Sequence, residues 1–279
     1  MKRNSVVTPL VFVHGAFCGG WAFDSFREPF EAAGFQTHAP DLPHHECGAD
    51  LEALAQTGLK EYAQAIAGFA KTLRAPPVLV GHSLGGLVVQ LAAIQTEVAG
   101  LVLLAPSAPW GVPPTTLDEH SNQFGLSLLG DYWRRPVPPD YRVARATTLD
   151  RLSQEDARRT FANFVPESGR AIREAVQWWL DTSMAGQAPV YHIDAPVLGV
   201  AGGRDRVNSA STVRRVIARF PQGQAHFHEF PEMSHWLVGE PEAQDVASFL
   251  LQWLEAREIA PKRRKAWQLS LFNWGDARA

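Results

Sequence analysis

The strongest constraint on the fold is the nine-residue stretch 78–86, with the sequence VLVGHSLGG. An apolar run of strand type leads into a Gly-x-Ser-x-Gly turn centred on Ser83, and residues 87–94 continue as an apolar helical segment. Gly81 and Gly85 flank the serine, because a Cβ at either position is expected to collide with a neighbouring element of so tight a turn. This context is typical of an exposed nucleophilic serine. By itself the motif also fits an ordinary strand-to-helix loop.

Short apolar runs alternate with helical patterns along the chain. The runs predict strands at 10–13, 35–39, 78–80, 100–104, 197–201 and 225–230. Helices are predicted at 22–33, 58–73, about 209–219 and about 240–256. Continuous apolar strands that alternate with helices are typical of a parallel sheet covered on both faces, so the sequence predicts an α/β fold.

Two polar residues follow later strands of the predicted sheet. Asp205 comes after the strand at 197–201, and His235 comes after the strand at 225–230. Because the carboxyl ends of parallel strands converge on one crevice, both can meet Ser83 there. Each has a structural alternative: Asp205 as a turn residue or helix cap, and His235 as an interior histidine. Glu229 and Glu232, on the strand and loop of the histidine itself, are the other candidate acids.

These motifs together resemble the α/β-hydrolase superfamily, and the first hundred residues resemble its branch of plant methylesterases and hydroxynitrile lyases. The matching segments are VFVHGA at 11–16, GGW at 19–21, PDLP at 40–43 and GHSLGG at 81–86. The resemblance covers residues 10–105 and 196–254. It implies an α/β-hydrolase fold with a mostly parallel sheet of about six strands flanked by helices, because the first strand begins too early for the two leading strands of the full sheet.

The resemblance also implies a domain organisation. We expect a core at 1–106 and 191–258, a helical cap inserted at 107–190, called the cap segment below, and a C-terminal tail at 259–279. Within the cap segment, Pro166 begins a helical pattern that places Trp179 on a buried face and Trp178 at its edge, where it can line the substrate pocket. The aromatic residues of the tail are expected to pack on the body or on a second subunit, which leaves a homodimer open.

The chemistry expected of the site is that of a catalytic triad. Ser83 is the nucleophile, His235 the base and Asp205 the residue that orients the base. The oxyanion is expected to bind the N–H groups of Leu84 and Ala16, with Phe17 in place of Ala16 as the alternative. Further pocket residues are expected to be Phe17, His82, Trp110, Trp178 and Trp236. The scheme needs no cofactor and no metal, and the adjacent His44, His45 and Glu46 are typical of a solvated loop.

The sequence therefore predicts a serine hydrolase that cleaves a carboxylic ester or related acyl compound, most simply an apolar small molecule, through an acyl-enzyme. Dehalogenases and epoxide hydrolases of this fold place Asp where Ser83 stands, which argues against both of these classes. A hydroxynitrile lyase is expected to have Thr and Lys where Gly15 and Trp236 stand. Carbon–carbon bond hydrolases, cofactor-free perhydrolases and non-catalytic receptors that keep the triad remain open alternatives.

Composition narrows the setting of this chemistry. The 279 residues are 46% hydrophobic and 20% charged, with a formal charge of −3, which gives no reason to expect nucleic acid as a partner. No apolar run approaches the roughly 20 residues of a membrane span. Pro9 interrupts the apolar run that follows Met1, so we expect a strand, not a signal peptide, and a cytoplasmic protein. Cys18 and Cys47 are then expected to be free thiols.

Overall fold

The fold is built around one parallel sheet. A computed structural model describes residues 7–261, and within them six strands form this sheet in the order β2-β1-β3-β4-β7-β8, every neighbouring pair parallel. Its strands are β1 (Leu10–Val13), β2 (Thr37–His38), β3 (Val78–His82), β4 (Gly100–Leu104), β7 (Val197–Gly202) and β8 (Ala225–Phe230). The predicted α/β class and strand number are confirmed. The strand expected at 35–39 is shorter, with only Thr37 and His38 paired to β1.

Helices connect the strands and cover both faces of the sheet. In the part of the fold outside the cap segment they are α1 (Asp24–Ala32), α2 (Leu51–Gln56), α3 (Leu59–Thr72), α4 (Leu84–Ala93), α9 (Ala210–Ile217) and α10 (Ala243–Ala256). The helix predicted at 22–33 begins as a 3₁₀ turn, Gly20–Phe23, and ends before Gly34, whose φ of 92° suits glycine.

The buried strands supply two separate apolar layers because alternate side chains point to opposite faces. On β1, Leu10 and Phe12 pack in the layer that includes α1 and α10, while Val11 and Val13 pack in the layer that includes α3, α4 and α9. Both layers are filled by fully buried side chains. This double burial explains why the strands read as continuous apolar runs, and it holds the carboxyl ends of the strands in fixed relation to one another.

The cap segment lies between β4 and β7, and its regular structure is mostly helical. It contains α5 (Leu117–Ser127), α6 (Tyr141–Thr147), α7 (Gln154–Phe161), α8 (Gly169–Val176) and an antiparallel pair of short strands, β5 (Pro136–Val137) and β6 (Glu167–Ser168). Short 3₁₀ turns lie at Tyr132–Arg134, Trp178–Leu180 and Val190–His192.

The predicted helix that starts at Pro166 and carries Trp179 on its buried face is wrong in its extent. Helix α8 ends at Val176, and Gln177 leaves helical geometry with φ −113° and ψ 43°. Its buried side chain accepts a hydrogen bond from the Tyr132 hydroxyl and donates to the Gln123 carbonyl. Because these bonds stop the helix, the helical register does not extend to Trp179, which is 48% exposed.

Other predictions concern the ends of the chain and its surroundings. Most of the predicted tail, residues 262–279, lies outside the described residues, and so do its aromatic side chains. Among residues 7–261, none of the helices has the length and hydropathy that crossing a bilayer requires. Cys18 is buried and Cys47 is exposed, each with a free thiol.

Candidate active site

The turn that carries Ser83 joins β3 to α4 in a strained conformation. Ser83 has φ 53° and ψ −120°, a region that residues with side chains rarely adopt. The flanking glycines are required by contact: a Cβ on Gly81 would meet the Gly85 carbonyl, and a Cβ on Gly85 would meet the carbonyls of Val13 and His14. The turn thus holds the Ser83 side chain at the carboxyl end of the sheet, beside the loop that follows β1.

Three side chains from three different loops meet at this edge. The Nε2 atom of His235 lies 2.9 Å from Ser83 Oγ, and its Nδ1 atom lies 2.8 Å from Asp205 Oδ2. All three residues are buried. The carboxylate acceptor keeps the ring proton on Nδ1, which leaves Nε2 free to accept the proton of the serine hydroxyl. The arrangement can therefore activate the serine as a nucleophile.

The acid is itself held in place. Asp205 Oδ1 accepts the backbone N–H groups of Val207 at 2.7 Å and Asn208 at 2.9 Å, so its other oxygen faces the histidine. The alternative acids lie elsewhere: Glu229 pairs with Arg214 at 3.2 Å, and Glu232 forms an exposed pair with Arg204.

The loop after β1 approaches the nucleophile closely. A Cβ on Gly15 would lie 2.9 Å from the Cβ of Ser83, so the following residues are adjacent to the serine. Within residues 7–261, the N–H groups of Ala16 and Leu84 have no hydrogen-bond acceptor, whereas the N–H of Phe17 donates to Glu167 Oε2 at 3.3 Å. Leu84 is the first residue of α4, where helical N–H groups lack partners.

His82 lies behind the histidine of this cluster. Its Nε2–H donates to the backbone carbonyl of His235 at 2.8 Å, and its ring packs edge-on against Trp236, with centroids 5.5 Å apart. Burial, assisted by the nearby His235, lowers the pKa of His82 to about 3. His82 thus stays neutral and supports the backbone of the loop that carries His235.

A cavity of about 700 Å³ opens from Ser83 into the cap segment. Of the predicted pocket residues, Phe17, His82, Trp178 and Trp236 line it. Trp110, also predicted to line the pocket, is not among the residues that line this cavity; its ring packs edge-on against that of Trp178, with centroids 5.2 Å apart. Further apolar lining comes from cap residues that had not been singled out, among them Leu126, Val143, Phe164, Ile172 and Val176.

The pair His44 and His45 differs from the solvated loop that the sequence predicts. His45 is buried, and its Nε2 lies 3.1 Å from Oε2 of the equally buried Glu167. Sequence reasoning missed Glu167, because nothing local distinguishes it from the other acidic residues of the cap segment. Among residues 7–261, no group of three or more His, Cys, Asp or Glu side chains is arranged to hold a metal ion.

The fold and this site define an α/β hydrolase. The profile of the alpha/beta hydrolase family matches residues 10–248, and the chain belongs to that family. This bears out the resemblance found in the motifs.

Individual relatives are similar over different lengths. A pimeloyl-[acyl-carrier protein] methyl ester esterase of Stenotrophomonas maltophilia is 28% identical over 88% of this chain and 93% of its own. A pyrethroid hydrolase of Sphingobium wenxiniae is 34% identical over 114 residues, which are 39% of this chain and 40% of that protein. Among solved structures, a methylesterase from Arabidopsis superposes with a TM-score of 0.68 at 18% identity, over 90% of this chain and all of the other.

Proposed function

We propose that this protein is a serine hydrolase that cleaves carboxylic esters through an acyl-enzyme. The observation that carries the proposal is the continuous hydrogen-bonded series from Ser83 through His235 to Asp205, at 2.9 and 2.8 Å. The family and the esterases among the relatives support ester hydrolysis as the reaction.

The reaction then proceeds in two halves. His235 takes the hydroxyl proton as Ser83 Oγ attacks the ester carbonyl, and Asp205 stabilises the imidazolium that forms. The imidazolium returns this proton to the departing alkoxide, so an alcohol leaves and an acyl-serine remains. Water, deprotonated by the same histidine, attacks the acyl-serine and releases the acid.

The negative charge on the carbonyl oxygen needs two donors in each half. We assign this role to the N–H groups of Ala16 and Leu84, because the N–H of the alternative, Phe17, is already bonded to Glu167. Losing one such donor typically costs about 3–4 kcal/mol of transition-state stabilisation.

The proposed substrate is a neutral ester with a sizeable apolar acyl or alcohol part. The cavity is within the range of sites for drug-sized molecules, and its lining near Ser83 is mostly apolar. Glu119, a buried carboxylate in the lining, accepts hydrogen bonds from Thr115 and Ser209, while Arg135 and Asp140 are exposed. The lining thus offers no buried, unpaired charge to a charged substrate.

The test combines labelling and turnover. We expect a fluorophosphonate probe to label Ser83, and Ser83→Ala to lose both labelling and hydrolysis of p-nitrophenyl esters, because the nucleophile is gone. Ser107→Ala is the matched control, since Ser107 also lines the cavity and its loss leaves the nucleophile intact. Labelling of another serine, or ester turnover by Ser83→Ala, would contradict the proposal. Labelling of Ser83 without ester turnover by the native chain would favour a receptor instead.

A further inference from the structure

The cap segment holds the loop after β1 by both backbone polar groups of one residue. The N–H of Phe17 donates to Glu167 Oε2 at 3.3 Å, and the carbonyl of Phe17 accepts the N–H of Val165 at 2.9 Å. Phe17 has φ 65°, which is unfavourable for a residue with a side chain. A strained residue needs surrounding contacts to hold it, and two of these contacts come from the cap segment.

Glu167 is fully buried, and donors surround both of its oxygens. In the described part of the chain, Oε2 accepts from Phe17 N–H and from His45 Nε2 at 3.1 Å, while Oε1 accepts from the Tyr62 hydroxyl and the Ser168 N–H, each at 2.7 Å. A carboxylate with four donors has its position and orientation fixed.

The charge of Glu167 is matched by His45. The Nδ1 atom of His45 lies 3.1 Å from the Pro43 carbonyl and its Nε2 lies 3.1 Å from Glu167, so both ring nitrogens face acceptors. Two acceptors require two N–H groups, and the ring therefore carries a positive charge. A buried carboxylate that is paired and fully hydrogen-bonded can remain ionised.

We propose that Glu167 is a positioning residue for the oxyanion hole, acting through Phe17. The N–H of Phe17 belongs to the rigid peptide plane that joins Ala16 to Phe17. When Glu167 holds this plane, it restricts the rotation of Ala16 and so the direction of the Ala16 N–H. The inference rests on the proposed function, in which that N–H binds the oxyanion.

The proposal makes docking of the cap segment a condition for catalysis. If the cap segment shifts, Phe17 loses both the carboxylate and the Val165 N–H, while Ser83, His235 and Asp205 stay on the core loops. A displaced cap segment would then leave the triad intact and the oxyanion hole without its fixed donor.

Glu174 provides a matched control on the same cap segment. It is also buried, and it also bonds the core backbone, accepting Leu59 N–H at 2.7 Å and Arg170 Nε at 2.8 Å. It does not touch the loop at 15–17. Shortening Glu174 removes a bond to the start of α3 while Glu167 and Val165 still hold Phe17, whereas shortening Glu167 loses the bond to Phe17 itself.

The experiment compares Glu167→Asp with Glu174→Asp. The shorter side chain keeps its charge and withdraws the carboxylate by about 1.5 Å, one carbon–carbon bond. We expect Glu167→Asp to lower kcat for p-nitrophenyl esters roughly 10- to 100-fold, the scale of a misplaced catalytic group, with KM within about twofold. The affinity for a trifluoromethyl ketone, whose serine adduct carries an oxyanion, should fall by the same factor as kcat/KM.

The control and a conservative variant complete the design. Glu174→Asp should keep kcat and trifluoromethyl ketone affinity within about threefold, whatever its melting temperature. Glu167→Gln should keep more of kcat than Glu167→Asp. Its amide oxygen is expected to face Phe17 and His45, because the amide nitrogen then meets only one fixed donor, the Ser168 N–H, while the Tyr62 hydroxyl can reverse and accept from it. If Glu167→Asp does not melt cooperatively, we would measure Glu167→Ser instead and expect the same loss of kcat. Its small side chain leaves room for water to bind the N–H and O–H groups that Glu167 accepts from.

The outcomes separate this proposal from the proposed function. The positioning role is overturned if Glu167→Asp has the kcat of the native chain, or if Glu167→Asp and Glu174→Asp lose kcat equally. In either case, labelling of Ser83 and ester turnover by the native chain still support the proposed hydrolase. A loss in Glu167→Gln as large as in Glu167→Asp also overturns it, because charge and not the bond to Phe17 would then matter. If the native chain has no ester turnover, the proposed function is overturned, and the positioning role that rests on it is overturned with it.

Discussion

At the scale of single residues, the proposed mechanism needs Asp205 to set which ring nitrogen of His235 carries the proton. Its Oδ1 accepts two backbone N–H groups, so an Asn side chain would place its oxygen there and its amide nitrogen toward the histidine. The Nδ1 atom of His235 would then have to accept a hydrogen bond from this amide, so the ring proton would move to Nε2. A protonated Nε2 cannot take the proton of the Ser83 hydroxyl. The wrong tautomer costs about 10⁴-fold in kcat in the serine protease for which it was measured.

We therefore expect Asp205→Asn to lower kcat for p-nitrophenyl esters about 10³- to 10⁴-fold and to leave the fold intact, as judged by circular dichroism and a cooperative melt. Glu232→Gln serves as the control, because Glu232 lies on the loop of His235 but pairs with Arg204 at the surface. Near-normal turnover in Asp205→Asn would show that another group orients the histidine.

The residues of the site differ in how far sequence alone could find them. Ser83, Asp205 and His235 stand directly after strands, so each leaves a local signal that topology brings together. Glu167 leaves none, since it contacts Phe17 across 150 residues of sequence and His45 across 122. Trp110 and Trp178 are both aromatic residues of the cap segment. Only the structure shows that Trp178 lines the cavity and that Trp110 packs against Trp178.

At the scale of elements, the end of helix α8 decides which tryptophan faces the cavity. The helix stops at Val176 because Gln177 uses its side chain to bind Tyr132 and the Gln123 carbonyl. The 3₁₀ turn Trp178–Leu180 then directs Trp178 into the cavity and leaves Trp179 exposed. Periodicity cannot predict such a stop, because the bonds that cause it come from distant parts of the cap segment.

This geometry predicts different effects for the two tryptophans. Trp178→Ala should shift the preference of kcat/KM among p-nitrophenyl esters of two to twelve acyl carbons toward bulkier chains, because it enlarges the cavity. Trp179→Ala should change the free energy of unfolding by about 1 kcal/mol or less and leave the preference unchanged, as for an exposed side chain. Urea unfolding and the ester series measure both. If Trp178→Ala leaves the preference among acyl chain lengths unchanged, other residues of the cap segment determine it and the prediction for Trp178 is wrong.

At the scale of the whole molecule, the sheet was predictable and the docking of the cap segment was not. The strands that are buried on both faces have continuous apolar sequences, and the observed boundaries of β1 and β4 match the predicted ones. Docking of the cap segment depends on buried carboxylates instead: Glu119 bonds the start of α9 through Ser209, Glu174 bonds the start of α3 through Leu59, and Glu167 pairs with His45. Such pairings join residues remote in sequence and have no periodic pattern.

The buried pair of His45 and Glu167 makes stability depend on pH in a definite direction. Burial alone would lower the pKa of His45, but the charge and hydrogen bond of Glu167 outweigh it and raise this pKa above its usual 6.5. Burial would raise the pKa of Glu167, but His45, Tyr62 and the Ser168 N–H together lower it below its usual 4.5. The neighbouring His14 stays neutral, since burial and the charge of His45 lower its pKa to about 4.

The sign of each shift fixes the window in which the pair stabilises the fold. The raised pKa of His45 gives stability that is complete below pH 6.5 and is lost as pH rises through the raised value. The lowered pKa of Glu167 gives stability that is complete above pH 4.5 and is lost as pH falls through the lowered value. The contribution is therefore largest between about pH 4.5 and 6.5 and declines on both sides.

Replacing His45 tests this window. His45→Gln leaves Glu167 buried without its countercharge, a change that typically costs about 3–5 kcal/mol. We expect the difference in unfolding free energy between the native chain and His45→Gln to be largest near pH 6 and to shrink as pH rises to 9, because the native chain then loses the same charge. Urea unfolding at pH 6, 7.5 and 9 measures it, with His120→Gln, an exposed histidine on α5, as the control. A difference that stays constant over this range would mean that His45 is neutral in the fold and that Glu167 is held by hydrogen bonds without an ion pair.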